Sequence, residues 1–159
     1  MHVKPFWCDP LCNSGRETQR PIMGPVDAEA NKALVRRFVK EVFEDLSADA
    51  VDDLVDDNFV SHTWALTGDA RQALKQVTRG MGAALSEIRF EIDDLIAEDD
   101  KVAVRLTSSA TQTGSFHGLP ASGRRYSIGE IHIFRLVDRR IVEHWHQYDL
   151  PGLMRQLQS

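Results

Sequence analysis

Four side chains able to move protons fall at alternating positions in the last third of the chain. Glu130 and His132, then His144 and His146, lie within the segment YSIGEIHIFRLVDRRIVEHWHQYDL, Tyr126 to Leu150, which holds three of the six histidines. Imidazole titrates near neutrality without help, so it can take or give a proton at physiological pH. Set among Phe134, Val142 and Tyr148, such groups occupy a semi-apolar wall, the kind of surface on which pKa values move. General acid–base chemistry is one use of this set. A second is metal binding, with His144-x-His146 and His132 leaving a fourth position open and Glu130 replacing a ligand or ordering one. The plainest alternative is ordinary surface or hydrogen-bonded strand histidines.

The elements that must position these groups follow from the period of the pattern. Apolar and polar residues alternate up to Leu136 and again from Ile141, which reads as two long strands. The polar break at Val137-Asp138-Arg139-Arg140 is the turn. A three-residue loop would set Leu136 opposite Arg140 and pair Phe134 with Val142, His132 with His144, and Glu130 with His146. All six, with Tyr148, would then share one face, leaving Ile131, Ile133, Ile141, Glu143, Trp145 and Gln147 on the other. A two-residue turn would pair His132 with Trp145 and break up the cluster. Arg139 stands where a left-handed Gly is expected of the longer loop. The three-residue loop is the expectation.

Ahead of this hairpin the period is helical. Asp27 is placed to cap a helix over Ala28 to Leu46, with a stripe of Leu34, Val35, Phe38, Val39, Val42, Phe43 and Leu46. Ser47 caps a short second helix that turns Ala50, Val51, Leu54 and Val55 inward, and Asn58 to His62 is extended. Asp69 caps a third helix from Ala70 to about Leu85. From Ile88 alternation takes over, with a hairpin turn at Glu98 to Lys101 and a Pro/Gly loop from Gly118 to Gly123. A short helix from Pro151 to Leu157 closes the chain. Helices first and an antiparallel sheet second predict an α+β domain with the helices on one sheet face. A curved sheet covered in this way leaves a concave, mostly apolar hollow, the usual place for a small ligand.

Length and composition bound the rest. The chain has 159 residues, 42% hydrophobic and 27% charged, with a formal net charge of −5, which suits one domain from residue 26 onward. With no basic run, nucleic acid is not expected as a partner. No apolar run is long enough to span a membrane and the start lacks a signal-peptide core, so the expected location is cytoplasmic. Residues 1–25 read as a disordered tail, carrying Cys8 and Cys12 as free thiols without the further ligands a zinc site needs. The apolar side chains expected on the outer sheet face, Ile131, Ile133 and Trp145, predict a homodimer through that face.

Three stretches then coincide: NFVSH at Asn58 to His62, IAEDDKVAVRLTSSATQTGSFHGLPASGRR at Ile96 to Arg125, and IFRLVDRRIVEHWHQYDLPGLMRQL at Ile133 to Leu157. On them the chain resembles the SnoaL-like polyketide cyclases, or ester cyclases, of the nuclear transport factor 2-like superfamily, over roughly Ala28 to Leu157. The resemblance implies a cone-shaped, curved antiparallel or mixed sheet with the N-terminal helices on its concave face, a SnoaL-like α+β barrel. It also implies an intramolecular aldol condensation that closes a ring of a polyketide ester, with no metal and no organic cofactor. Matched to this family, His146 takes the acid/base position on the last strand and His132 a partner role beside it. Asp149 either orients the base or caps the last helix. His62 sits at the mouth or serves a loop hydrogen bond, and Glu130, His144 and Tyr148 line the wall. Phe90, Phe134 and Trp64 complete a surface for a small hydrophobic or aromatic substrate, and His117 is expected to be exposed. The chain departs from the family where many relatives carry an acid directly after the Trp and this sequence has His146. That substitution keeps open a non-catalytic binding or dimerisation module, as well as a metal-dependent or cofactor-free isomerase or hydrolase. An epoxide-hydrolase arrangement is not supported, because Arg105 points away from the inner face by parity.

Overall fold

The structure, a computed structural model, describes residues 27–63 and 68–159. The expected N-terminal tail, with Cys8 and Cys12, and Trp64 lie outside the described residues. The Asp27 carboxylate accepts from the backbone N–H groups of Glu29 and Ala30, starting α1, Ala28–Phe38. The α-helix does not run on to Leu46 as its stripe predicts. From Val39 to Glu44 the helix widens to a π-helix that buries Val39, Val42 and Phe43, and at Leu46 the backbone turns through φ 58°. A π segment takes more residues per turn, so it can present neighbours such as Val42 and Phe43 to one core. It also brings the Glu44 carboxylate to the Phe90 N–H, 3.0 Å away. Ser47 caps α2, Ala48–Leu54, and Asp69 caps α3, Ala70–Ala84. Both helices end one residue sooner than expected, since Val55 opens strand β1, Val55–Ser61, and Leu85 opens β2, Leu85–Glu98.

Strands β3, Lys101–Gln112, β4, Arg125–Val137, and β5, Arg140–Tyr148, complete a five-stranded sheet in the order β1-β5-β4-β3-β2. The β1–β5 pair is parallel and the others are antiparallel. Helix α3 packs against both β1 and β2. These are opposite edges of the sheet, so it must curl around the helices, and it remains open rather than closing into a barrel. Alternation decides what faces inward. Along β4 Tyr126, Ile128, Glu130, His132, Phe134 and Leu136 are buried, while Ile131 and Ile133 are exposed. A last helix, α4, Leu150–Gln158, folds back beneath β4.

The turn between β4 and β5 differs from expectation. It is the two-residue turn Asp138-Arg139, with φ of 47° and 61°, and Val137 faces Arg140. Two successive positive φ angles are the signature of the tight turn whose twist suits a hairpin. Its register alone would have dispersed the histidines. A bulge restores their parity: Leu136 faces Ile141 but Arg135 faces Glu143, leaving Val142 as the extra residue. Beyond the bulge Phe134 pairs with His144, His132 with His146, and Glu130 with Tyr148, each shifted by two from the expected register. Ile141, expected outside, is fully buried, and Val142 is half-buried. Among the described residues no helix is long and apolar enough to cross a membrane.

Candidate active site

Glu130 and His132 lie two apart on β4 and so share its inner face. His146 stands directly across from His132 on β5. The main chain at His146 is held by Thr63, whose hydroxyl accepts from the His146 N–H at 2.7 Å and donates to the His146 carbonyl at 3.0 Å. From β3, which pairs with the other side of β4, comes Ser108. These side chains meet at one carboxylate. Glu130 Oε2 lies 2.8 Å from His146 Nε2 and 3.1 Å from His132 Nε2, and Glu130 Oε1 accepts from the Ser108 hydroxyl. His132 Nδ1 lies in turn 2.9 Å from His144 Nε2. Glu130 is 9% exposed, His146 7%, and His132 and His144 1% each.

Electrostatics fix the protons. Burial opposes ionisation of Glu130, but hydrogen bonds from His132 and His146, the charge His132 gains when it is itself protonated, and the Ser108 hydroxyl overcome it and hold the carboxyl at about 2. Burial drives His132 down to about 4, against the pull of Glu130 and with help from His146. Burial, with His132 and His146 beside it, also pushes His144 well below the ordinary histidine range. At neutral pH Glu130 is therefore an anion that only accepts, and His132 and His144 are neutral. The Nε2 atoms of His132 and His146 must carry the protons that point at Glu130. His132 Nδ1 is then an acceptor, so His144 donates to it from Nε2. Stacking keeps the rings in place: His146 lies over His132 at 4.0 Å and 10°, and over Tyr148 at 4.9 Å and 15°.

Above this network is a cavity of about 280 Å³. Glu130, His132, His146 and Tyr148 form its polar floor, and Phe43, Met81, Phe90, Phe116, Ile128 and Leu153 supply apolar wall. Tyr126 also reaches it, and burial raises the pKa of both Tyr126 and Tyr148, so both phenols keep their protons. An anion with two imidazoles in an apolar-walled hollow can accept a carbon-bound proton and return it elsewhere, and the phenols can donate to an oxygen that gains charge.

Of the residues singled out from the sequence, the structure gathers Glu130, His132, His146, Tyr148 and Phe90 at the cavity. Phe134, fully buried, and His144 support the floor from behind, stacked on each other at 4.8 Å. His62 lies elsewhere: its ring stacks on Trp145 at 4.5 Å and pairs with Glu143 at 2.8 Å, on the far side of β5. Asp149 also stands apart, its carboxylate accepting from the Gly152 N–H at 2.9 Å as the cap of α4. His117 is exposed yet reaches the cavity rim. The donors that converge as a metal site would are Glu130, His132 and His146, all within 4.8 Å of one another, rather than the His144-x-His146 pair. Neither Ser108 nor Tyr126 is given a role in the sequence reading above. Both were within reach, since Tyr126 and Ile128 continue the alternation that ends in Glu130. Arg105 faces outward to Asp93 and Asp94.

Comparison with known proteins identifies the family and the fold. The SnoaL-like polyketide cyclase family model matches residues 33–157. A curated relative, the aklanonic acid methyl ester cyclase DnrD of Streptomyces peucetius, is 36% identical over 75 residues, which are 47% of this chain and 48% of that protein. The chain thus spans about half the length of that relative. Among solved structures, TsrD from Streptomyces laurentii superposes with a TM-score of 0.77 at 29% identity, covering 84% of this chain and 98% of its own. A SnoaL-like polyketide cyclase from Agrobacterium tumefaciens shares the fold, with a TM-score of 0.66 at 22% identity, over 80% of this chain and 97% of its own. With the family model covering most of the sequence, the chain belongs to the SnoaL-like polyketide cyclase family.

Proposed function

We propose that the protein is an ester cyclase that closes a ring of a polyketide-type ester by a cofactor-free intramolecular aldol reaction. The observation that carries this reading is the ionised Glu130, shared by His132 and His146 on the floor of an apolar cavity. His146 is the acid/base. It takes a proton from a carbon flanked by two carbonyls, and Glu130 at 2.8 Å stabilises the imidazolium that forms. The enolate carbon attacks a ketone in the same molecule, a C–C bond forms, and the new alkoxide takes the proton back from His146. No atom is gained or lost. Tyr126 or Tyr148 donates to the ketone oxygen as its charge grows. His132, kept neutral by burial and stacked beside His146, holds the same Glu130 oxygen in place. The network supplies the acidic function that relatives place directly after the Trp, with the carboxylate moved to the neighbouring strand.

The test is to incubate the protein with aklanonic acid methyl ester, the compound in the relative's name, and related polyketide methyl esters. Cyclised product should form, and His146→Ala and Glu130→Gln should each slow it by about 10²–10⁴-fold, the range of a lost general acid–base group. Lys32→Ala, which removes an ammonium paired with Glu29 outside the cavity, should match the parent. Turnover that survives both cavity variants refutes the assignment. A homodimer through the outer face, where Ile131 and Ile133 are 50% and 37% exposed, belongs to the same reading. Sedimentation showing only monomer at micromolar concentration would count against it.

A further inference from the structure

We propose that Glu130, His132 and His146 form a binding site for one divalent first-row transition-metal ion, with its open coordination positions facing the cavity. The proposal stands on donor geometry, and a metal at these nitrogens takes the place of the protons that otherwise point at Glu130, so a loaded site does not perform the acid–base step proposed above. Two imidazole nitrogens and one carboxylate oxygen, on adjacent strands, lie within 4.8 Å of one another. Metal–nitrogen and metal–oxygen bonds of about 2.0–2.2 Å put neighbouring ligand atoms about 2.9–3.4 Å apart. The two measured edges, 2.8 Å and 3.1 Å from Glu130 Oε2 to the histidine nitrogens, are already of that length. The nitrogen–nitrogen edge is within 4.8 Å, and it closes as the stacked rings, 4.0 Å apart, tilt toward each other. Two histidines and one carboxylate are the donor set of mononuclear centres that keep positions open for substrate.

The surroundings suit a cation. Among the described residues lining the cavity Glu130 is the only acid, and none is Lys or Arg. Behind the ligands stand groups that can orient them. When His132 gives its Nε2 to a metal its proton moves to Nδ1, and His144 Nε2, 2.9 Å away, accepts from it once the His144 proton has moved to its own Nδ1. Ser108 holds the second Glu130 oxygen. Such supporting hydrogen bonds fix ring orientation, and their loss costs about 10–100-fold in metal affinity.

The full chain, expressed without a histidine tag and stripped by chelation, is titrated with Co²⁺ while the visible d–d absorption is followed. We expect one equivalent to bind with an intense band and Zn²⁺ to displace it. Glu130→Gln and His146→Gln should each weaken binding at least about 100-fold, and His144→Phe by about 10–100-fold through the lost hydrogen bond. His62→Ala removes a surface imidazole and should change nothing. Circular dichroism on each variant separates lost ligation from lost folding, and if one cavity variant fails to fold the other reads the same donor set. No band, or a band that both cavity variants retain, overturns the inference. Turnover by the stripped chain without the band on titration overturns the metal site alone, and the band with no turnover by the stripped chain overturns the cyclase reading alone.

Discussion

Lowering the pH from 7 to 5 should destabilise the protein well before Glu130 titrates, because the site keeps two histidines neutral in the interior. His132 titrates at about 4 in the fold against about 6.5 when unfolded. Between these values the unfolded chain binds a proton that the native one refuses, so stability falls as pH falls. His132 alone then removes about 2 kcal/mol between pH 7 and pH 5. His144, shifted in the same direction, adds to the loss. Glu130 plays no part in this window. Its folded value of about 2 means that its contribution is complete above about 4.5 and is lost only as pH falls from there toward about 2. Urea unfolding in the presence of a chelator, at half-unit steps, reads the effect. With a slope of about 2 kcal/mol per molar, the midpoint should drop by about 1 M between pH 7 and pH 5. His132→Gln, which cannot titrate, should start lower and show a shallower pH dependence. A midpoint that is flat from pH 7 to pH 5 would refute the buried, neutral histidine network.

Three further perturbations test separate parts of the structure. Asp149→Ala removes the cap of α4 and should cost about 1 kcal/mol, read as a Tm lowered by a few degrees; a cyclisation rate that falls as far as in His146→Ala would return Asp149 to the chemistry. Arg139 sits at φ 61° in the β4–β5 turn, so Arg139→Gly should raise the unfolding free energy by about 1 kcal/mol, and a loss of stability would argue against the two-residue turn. Gly80 lines the cavity rim, and a Cβ added there meets nothing within 4 Å. Gly80→Ala should therefore stabilise α3 by about 1 kcal/mol, whereas Gly80→Leu should project into the cavity and raise KM more than it lowers kcat.

Much of the architecture could be read from local pattern. Asp27, Ser47, Asp69 and Asp149 are short acceptors ahead of apolar periods, and each caps a helix where the sequence offers one. The change from helical to alternating period marks where the sheet begins, because both signals depend only on neighbours along the chain. The expected helix over Ala28 to Leu46 gave way at Val39 because the core required Val39, Val42 and Phe43 together, a demand from packing that propensity does not register.

The candidate site divides along the same line. Glu130 had to share a face with His132, and His144 with His146, and alternation by itself said so. Parity across the hairpin was not the sequence's to decide. The turn took two residues rather than three, and only the bulge at Val142, which buries Ile141, returned the histidines to the inner face. A bulge is chosen by which side chains the core can accept, and that depends on helices packed from far away in the chain. For the same reason Ser108 reached Glu130 from β3, while His62 went to the outer side of β5 to stack on Trp145. Residue types set which protons could be moved; the curl of the sheet beneath its helices decided which of them were taken out of water, and so which could be put to use.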